Sequence, residues 1–166
     1  MLTNSPPFDW HITNLRNYMN LMAKNVEPLD LKGVKLTQFG QGTGMLGLPG
    51  DATPPSRFVR AVAFSQSAVP AATTEDAVLQ AFHILNAFDI PVGQVREVHE
   101  GELHTDYTVW ASVADLKNLT WSFKTYNDQS IRTVDLRKAL EAAQGKVRRI
   151  QMDSKQPMEN VSVKFK

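Results

Sequence analysis

Three short runs in the second half of the chain constrain its fold more than anything else in it. Residues 107 to 115 alternate, with Tyr107, Val109, Ala111 and Val113 on one face. Residues 120 to 126 alternate again, with Trp121 and Phe123 on one side, and Ile131 to Asp135 makes a third run. Successive side chains of a strand change face, so alternation predicts strands with one buried side. The connections Leu116-Lys-Asn118 and Asn127-Asp-Gln-Ser130 suit hairpins, which predicts an antiparallel three-stranded meander. Such a sheet needs helices or a second sheet over its apolar face.

Helices are available to cover it. Phe8, Ile12, Leu15, Met19 and Met22 recur at helical spacing and predict an amphipathic helix over 8–23. Ser5 or Asp9 would cap it, with Pro6 and Pro7 in the preceding turn. Residues 24–56 carry six glycines, from Gly33 to Gly50, then Pro54 and Pro55; they predict a long ordered loop or a set of short elements. Regular structure resumes with SRFVRAVAF, residues 56–64. A helix over 74–88 follows, opened by the capping-box pattern of Thr73 to Asp76 and stopped before Pro91. Its buried stripe is Val78, Ala81, Phe82, Leu85 and Phe88. A last helix over 136–144 closes at Gly145. Residues 147–152 read as a final strand and 153–166 as a loosely ordered tail. The class is α+β with antiparallel strands, in one domain covering 1–166.

Composition narrows the function. The chain is 42% hydrophobic and 21% charged, with a net charge of +1. That balance argues against a nucleic-acid partner, and the modest cluster Lys146, Arg148 and Arg149 has no aromatic neighbour to change the conclusion. No apolar run approaches the roughly 18 residues that cross a bilayer, so no membrane role is expected. No secretory leader is read at the N-terminus, and the compartment stays open. With no cysteine, this chain holds no disulfide, no thiolate metal site and no cysteine nucleophile.

Single motifs are weak. Gly42-Thr-Gly44-Met-Leu-Gly47 matches G-x-G-x-x-G, but Pro49, Pro54 and Pro55 prevent the helix that must receive a pyrophosphate. His11, His83, His99 and His104 lack the spacing of a helical metal site, and His99 and His104 flank Glu100 and Glu102 in what reads as a solvated acidic turn. No cofactor and no metal are expected. Two residues stand out. Asn4 ends a strand-like Met-Leu-Thr, where it would cap the turn or do something more. Arg57 opens an apolar stretch in which a charge must find a partner.

These places carry a resemblance. LTNSPPFDWHITNLRNY, GLPGDATPPSRFVRAVAF, FHILNAFDIPVG and KTYNDQSIRTVDL together resemble the choloylglycine hydrolase family, which includes bile-salt hydrolases and penicillin V acylases. The resemblance runs from residue 2 to about residue 137. It implies part of a four-layer αββα N-terminal-nucleophile hydrolase fold with antiparallel sheets. It implies hydrolysis of a linear, non-peptide amide by an N-terminal cysteine whose own α-amino group is the general base. Asn4 would help hold the oxyanion and Arg57 would lie beside the nucleophile. The nucleophile belongs to the family's N-terminal half, so the resemblance further implies that this chain matches the C-terminal half and is inactive alone. The expected partners are a small amide substrate of the bile-salt or N-acyl class, a separate N-terminal half, and further copies of itself when intact. The alternative is a non-catalytic binding or assembly fragment; an independent α+β domain with a new function is a third.

Overall fold

The computed structural model describes residues 5–162 and divides the chain into two compact units, Met1–Pro70 and Ala71–Lys166. Each is described by itself. In the first, helix α1 (Phe8–Leu15) is shorter than the expected 8–23 and runs into one 3-10 turn at Arg16–Tyr18. The segment TNLRN is rich in side chains that compete for backbone groups or for one another. Thr13 Oγ1 donates to Asp9 O at 3.1 Å, and Asn17 Nδ2 to Asn14 Oδ1 at 3.4 Å. Met22 leaves the helix, its N–H donating to Gly44 O at 2.9 Å. The buried residue of α1 is not from the apolar stripe. It is His11, 1% exposed, stacked on Phe58 of α2 (Pro54–Ser67) at 4.5 Å between ring centroids. Phe8 meets the same ring edge-on at 6.1 Å.

Between these helices the glycine-rich stretch resolves into short elements. Strands β1 (Leu29–Leu31) and β2 (Val34–Leu36) form an antiparallel hairpin. Lys32 and Gly33 turn it with φ of 51° and 89°, the doubly positive pair that matches strand twist. A 3-10 turn follows at Thr43–Met45. The base of this arm is closed. Asn25 Oδ1 accepts from the N–H groups of Gly42 (2.7 Å) and Thr43 (3.2 Å), its Nδ2 donates to Gln41 Oε1, and Val26 N–H donates to Thr43 Oγ1 at 2.9 Å. A Cβ on Gly44 would lie 2.1 Å from Lys24 O and 2.3 Å from Met22 O. The G-x-G-x-x-G spacing therefore reflects a close backbone approach at Gly44 between two positive-φ turns, at Gly42 and Gly47.

The second unit holds α3 (Thr74–Asn86), a hairpin of β3 (Val95–His99) with β4 (Glu102–Asp106), and the expected meander. The meander is β5 (Trp110–Asp115), β6 (Thr120–Thr125) and β7 (Arg132–Asp135), followed by α4 (Leu136–Ala143). Thr73 caps α3 as the pattern requires: its hydroxyl accepts from Asp76 N–H at 3.1 Å and donates to Asp76 Oδ2 at 2.8 Å. Helix α3 packs on β5, and its Phe82 is buried. Strand β5 starts later than expected because Thr108 is engaged elsewhere, donating its N–H to Ile90 O and accepting Ile90 N–H at its hydroxyl. Trp121 and Phe123 stack at 4.8 Å, and the Arg132 guanidinium sits 4.8 Å over the Phe123 ring.

The stretch read as a solvated acidic turn is an exposed turn at the tip of a hairpin, with Glu100 and Gly101 at φ 52° and 83° and His99 opposite Glu102. Two expectations are corrected in this unit. Residues 147–152 form no strand; Val147 and Ile150 are exposed and pair with no ladder. The tail is not loose at its start. Thr125 Oγ1 and Asn127 Nδ2 donate to the Asp153 carboxylate at 3.0 and 2.8 Å, Ser154 Oγ donates to Asp128 Oδ2 at 2.5 Å, and Gln129 N–H donates to Gln156 Oε1 at 2.6 Å.

Candidate functional site

The site begins with the first turn of α2. Pro54 and Pro55 occupy the opening positions, where a missing N–H costs nothing, and Arg57 N–H closes the turn on Thr53 O at 3.0 Å. Thr53 makes no side-chain cap of its own. Asp51 does the fastening instead. Its carboxylate accepts from Ser56 Oγ at 2.6 Å, from Thr53 Oγ1 at 2.5 Å and from Thr53 N–H at 2.9 Å. Those bonds, led by the one from Ser56, lower its pKa from 3.8 to about 2.

Arg57 is half-buried in this turn, and among the described residues its buried Nε has no hydrogen-bond partner. The partner demanded by its apolar surroundings is found instead by its neighbour. Arg60 is buried, and its Nη1 donates to Pro49 O at 2.8 Å and to Asp51 O at 2.7 Å. Burial lowers the Arg60 pKa, Asp51 raises it, and the charge of Arg57 lowers it again, so the two guanidinium groups share one neighbourhood. The turn thus presents a cation at the positive end of a helix, two positive features that together favour an anion.

Of the two residues expected from sequence, Arg57 is placed here and Asn4 lies outside the described residues. Arg60 and Asp51 were not singled out from sequence. The signal was the face shared by Ser56, Val59 and Arg60 at helical spacing, with an acid just before the helix. In the second unit, the Asp128–Ser154 and Asp153–Asn127 contacts keep both carboxyls below their ordinary pKa. Beside them a pocket of about 170 Å³ is walled by Tyr107, Val109, Trp110 and Tyr126, with Asn127 and Asp153 at its edge. The His99 and His104 rings lie 6.4 Å apart, and no group of three metal-ligating side chains occurs among the described residues.

Comparison with known proteins agrees with the resemblance. Residues 1–147 match the model of the linear amide C–N hydrolases, choloylglycine hydrolase family, and the chain belongs to that family. It is 40% identical over 140 residues to a bile salt hydrolase/transferase of Clostridium perfringens, and 38% identical over 134 residues to one of Bifidobacterium longum. Those alignments cover 83% and 80% of this chain but only 41% of either relative. A crystal structure of a variant of the conjugated bile acid hydrolase from Clostridium perfringens superposes with a TM-score of 0.77 at 33% identity, covering 97% of this chain and 48% of that one. The penicillin V acylase of Agrobacterium tumefaciens matches in fold, with a TM-score of 0.58 at 21% identity over 82% of this chain and 36% of its own. The chain takes up part of the αββα N-terminal-nucleophile hydrolase fold, with helices and antiparallel sheets. It spans less than half the length of these relatives.

Proposed function

We propose that this chain supplies the asparagine and arginine side of an amidase that cleaves linear, non-peptide C–N bonds. The substrates are conjugated bile salts, penicillin V or related N-acyl amides. On this reading residues 1–166 form one partial domain, and the nucleophile comes from a separate N-terminal half. The supporting observation is Arg57: a guanidinium fixed in a helical first turn, with a buried Nε left unpartnered among the described residues, inside the segment that resembles the family.

The chemistry follows from the residue types. The incoming cysteine thiolate attacks the amide carbonyl and its oxygen becomes an oxyanion. A fixed guanidinium favours thiolate over thiol. The Asn4 amide is a neutral donor to the oxyanion, a role worth roughly 3 kcal/mol of barrier. The cysteine α-amino group passes the proton to the departing nitrogen, and the C–N bond breaks. Water then hydrolyses the thioester, releasing the acid and restoring the thiol.

The test is to assay the chain alone and co-expressed with a family N-terminal half bearing the cysteine, on glycine- and taurine-conjugated bile salts, penicillin V and long-chain acyl amides. Hydrolysis by the pair alone is expected, with Asn4→Ala lowering kcat by about 10²-fold. An acyl adduct on the isolated chain, found by mass spectrometry, contradicts the proposal; so does an assembled pair without activity.

A second reading, a binding or assembly fragment, is favoured by exposed apolar surface. Leu29, Leu31, Val34 and Leu36 line one face of the β1–β2 hairpin and are all exposed. Such a face suits a further copy of the chain, and homo-oligomerisation belongs to the proposal. In isolation the chain should associate or melt broadly. A sharp, concentration-independent transition of a monomer argues against that.

A further inference from the structure

We infer that Arg60 is the positioning residue for Arg57. This deepens the amidase proposal and rests on it. The first turn of α2 opens on two prolines with no cap from Thr53, so what holds it comes from the loop before it. Helix ends with orphan groups fray unless something ties them down. Arg60 ties this one. It reaches back from the second turn and, through Nη1, grips the preceding loop at two carbonyls, Pro49 O (2.8 Å) and Asp51 O (2.7 Å). With the loop so held, the Asp51 carboxylate stands where it accepts from both Ser56 and Thr53.

Arg57 sits between these anchors, flanked by Ser56 on one side and Arg60 one turn on. Below it, Phe58 and Val59 are buried and keep the helix from rotating. On the loop side, Arg60 holds the chain through its two carbonyl bonds. Both bonds leave one nitrogen, Nη1, which donates to two backbone carbonyls, so the arrangement depends on a donor held at that reach rather than on charge alone. A neutral side chain of similar length fills the space and holds nothing.

The experiment uses Arg60→Met and Arg60→Lys in the chain paired with its cysteine-bearing half. Arg60→Met is expected to lower kcat about 10²-fold with KM little changed, the cost of an ångström-scale misplacement of Arg57. The acid limb of the pH profile should move up as the thiolate loses its fixed cation, and Arg60→Lys should recover part of the loss. Unchanged kcat and pH profile in a folded Arg60→Met pair overturns the inference. If the unsubstituted pair is inactive, it is the amidase proposal that fails. The positioning role is then decided on the chain alone, from the Arg57 Nε–H resonance in a 15N-labelled sample. A slowly exchanging signal that is lost in Arg60→Met supports it; no such signal, or one that survives the substitution, refutes it. Should Arg60→Met not fold, Arg60→Gln, too short to reach both carbonyls, is read in the same ways.

Discussion

Gly44→Ala should damage the first unit out of proportion to the single methyl it adds. The added Cβ would stand 2.1 Å from Lys24 O and 2.3 Å from Met22 O, with Met22 Cγ at 2.9 Å. A flexible side chain can move aside; two carbonyl oxygens cannot without moving the backbone that carries them. Separating the segments by about an ångström breaks the Met22 N–H to Gly44 O bond and strains the Asn25 clasp on Gly42 and Thr43. At about 1 kcal/mol for each of three hydrogen bonds, the loss comes to about 3 kcal/mol. For a chain of this size that is about 6–12 °C of Tm. The comparison is Gly40→Ala in the same arm, where the new Cβ meets nothing within 4 Å and φ is not positive. That change should be neutral or stabilise by about 0.5 kcal/mol. Urea unfolding followed by tryptophan fluorescence, with limited proteolysis of the arm, separates the two. Equal midpoints for the two variants would refute the close-approach account.

Other consequences are as open to measurement. Phe123→Ala removes the ring held between Trp121 and Arg132 and 2% exposed, and should cost about 3–5 kcal/mol in the second unit by chemical denaturation. Thr73→Ala deletes the α3 cap and should cost about 1 kcal/mol, read in the same experiment. Asp128 and Asp153 both titrate below 3.8 when folded, Asp128 chiefly through Ser154 and Asp153 chiefly through Asn127. Their contribution is therefore complete above the ordinary carboxylate value and is lost as pH falls through the lowered ones. An NMR titration of the side-chain carboxyl carbons should show both groups protonating below the ordinary carboxylate value; a midpoint at or above that value would contradict the assignment.

Much of the second unit was legible because its signals are local. Alternation marked the meander, Thr73 and Asp76 marked the start of α3, and Gly145 stands with Gln144 where α4 ends. The hairpins were not legible. Their tips are Lys32-Gly33 and Glu100-Gly101, not the Asn-Gly pair that announces such turns, although the glycine sits in the expected second place. The candidate site was half legible. Arg57 stood out as a charge opening an apolar stretch and the resemblance supplied its expected role, but Arg60 binds backbone carbonyls, and a carbonyl looks the same under every residue name. The burial of His11 was hidden for a related reason: a polar ring fills the place beside Phe58 that periodicity assigned to apolar side chains.

The closed base of the β1–β2 arm has a consequence for variation. Asn25 and Thr43 bring the two ends of the excursion together through their own bonds, with Val26 N–H 2.9 Å from Thr43 Oγ1. What lies beyond them is then a loop whose closure is already secured. Doubling its length adds only about 0.6 kcal/mol of entropy. The tip of the arm is therefore a place where foreign sequence can be spliced in, or natural sequence trimmed, while the helices at its root keep their register.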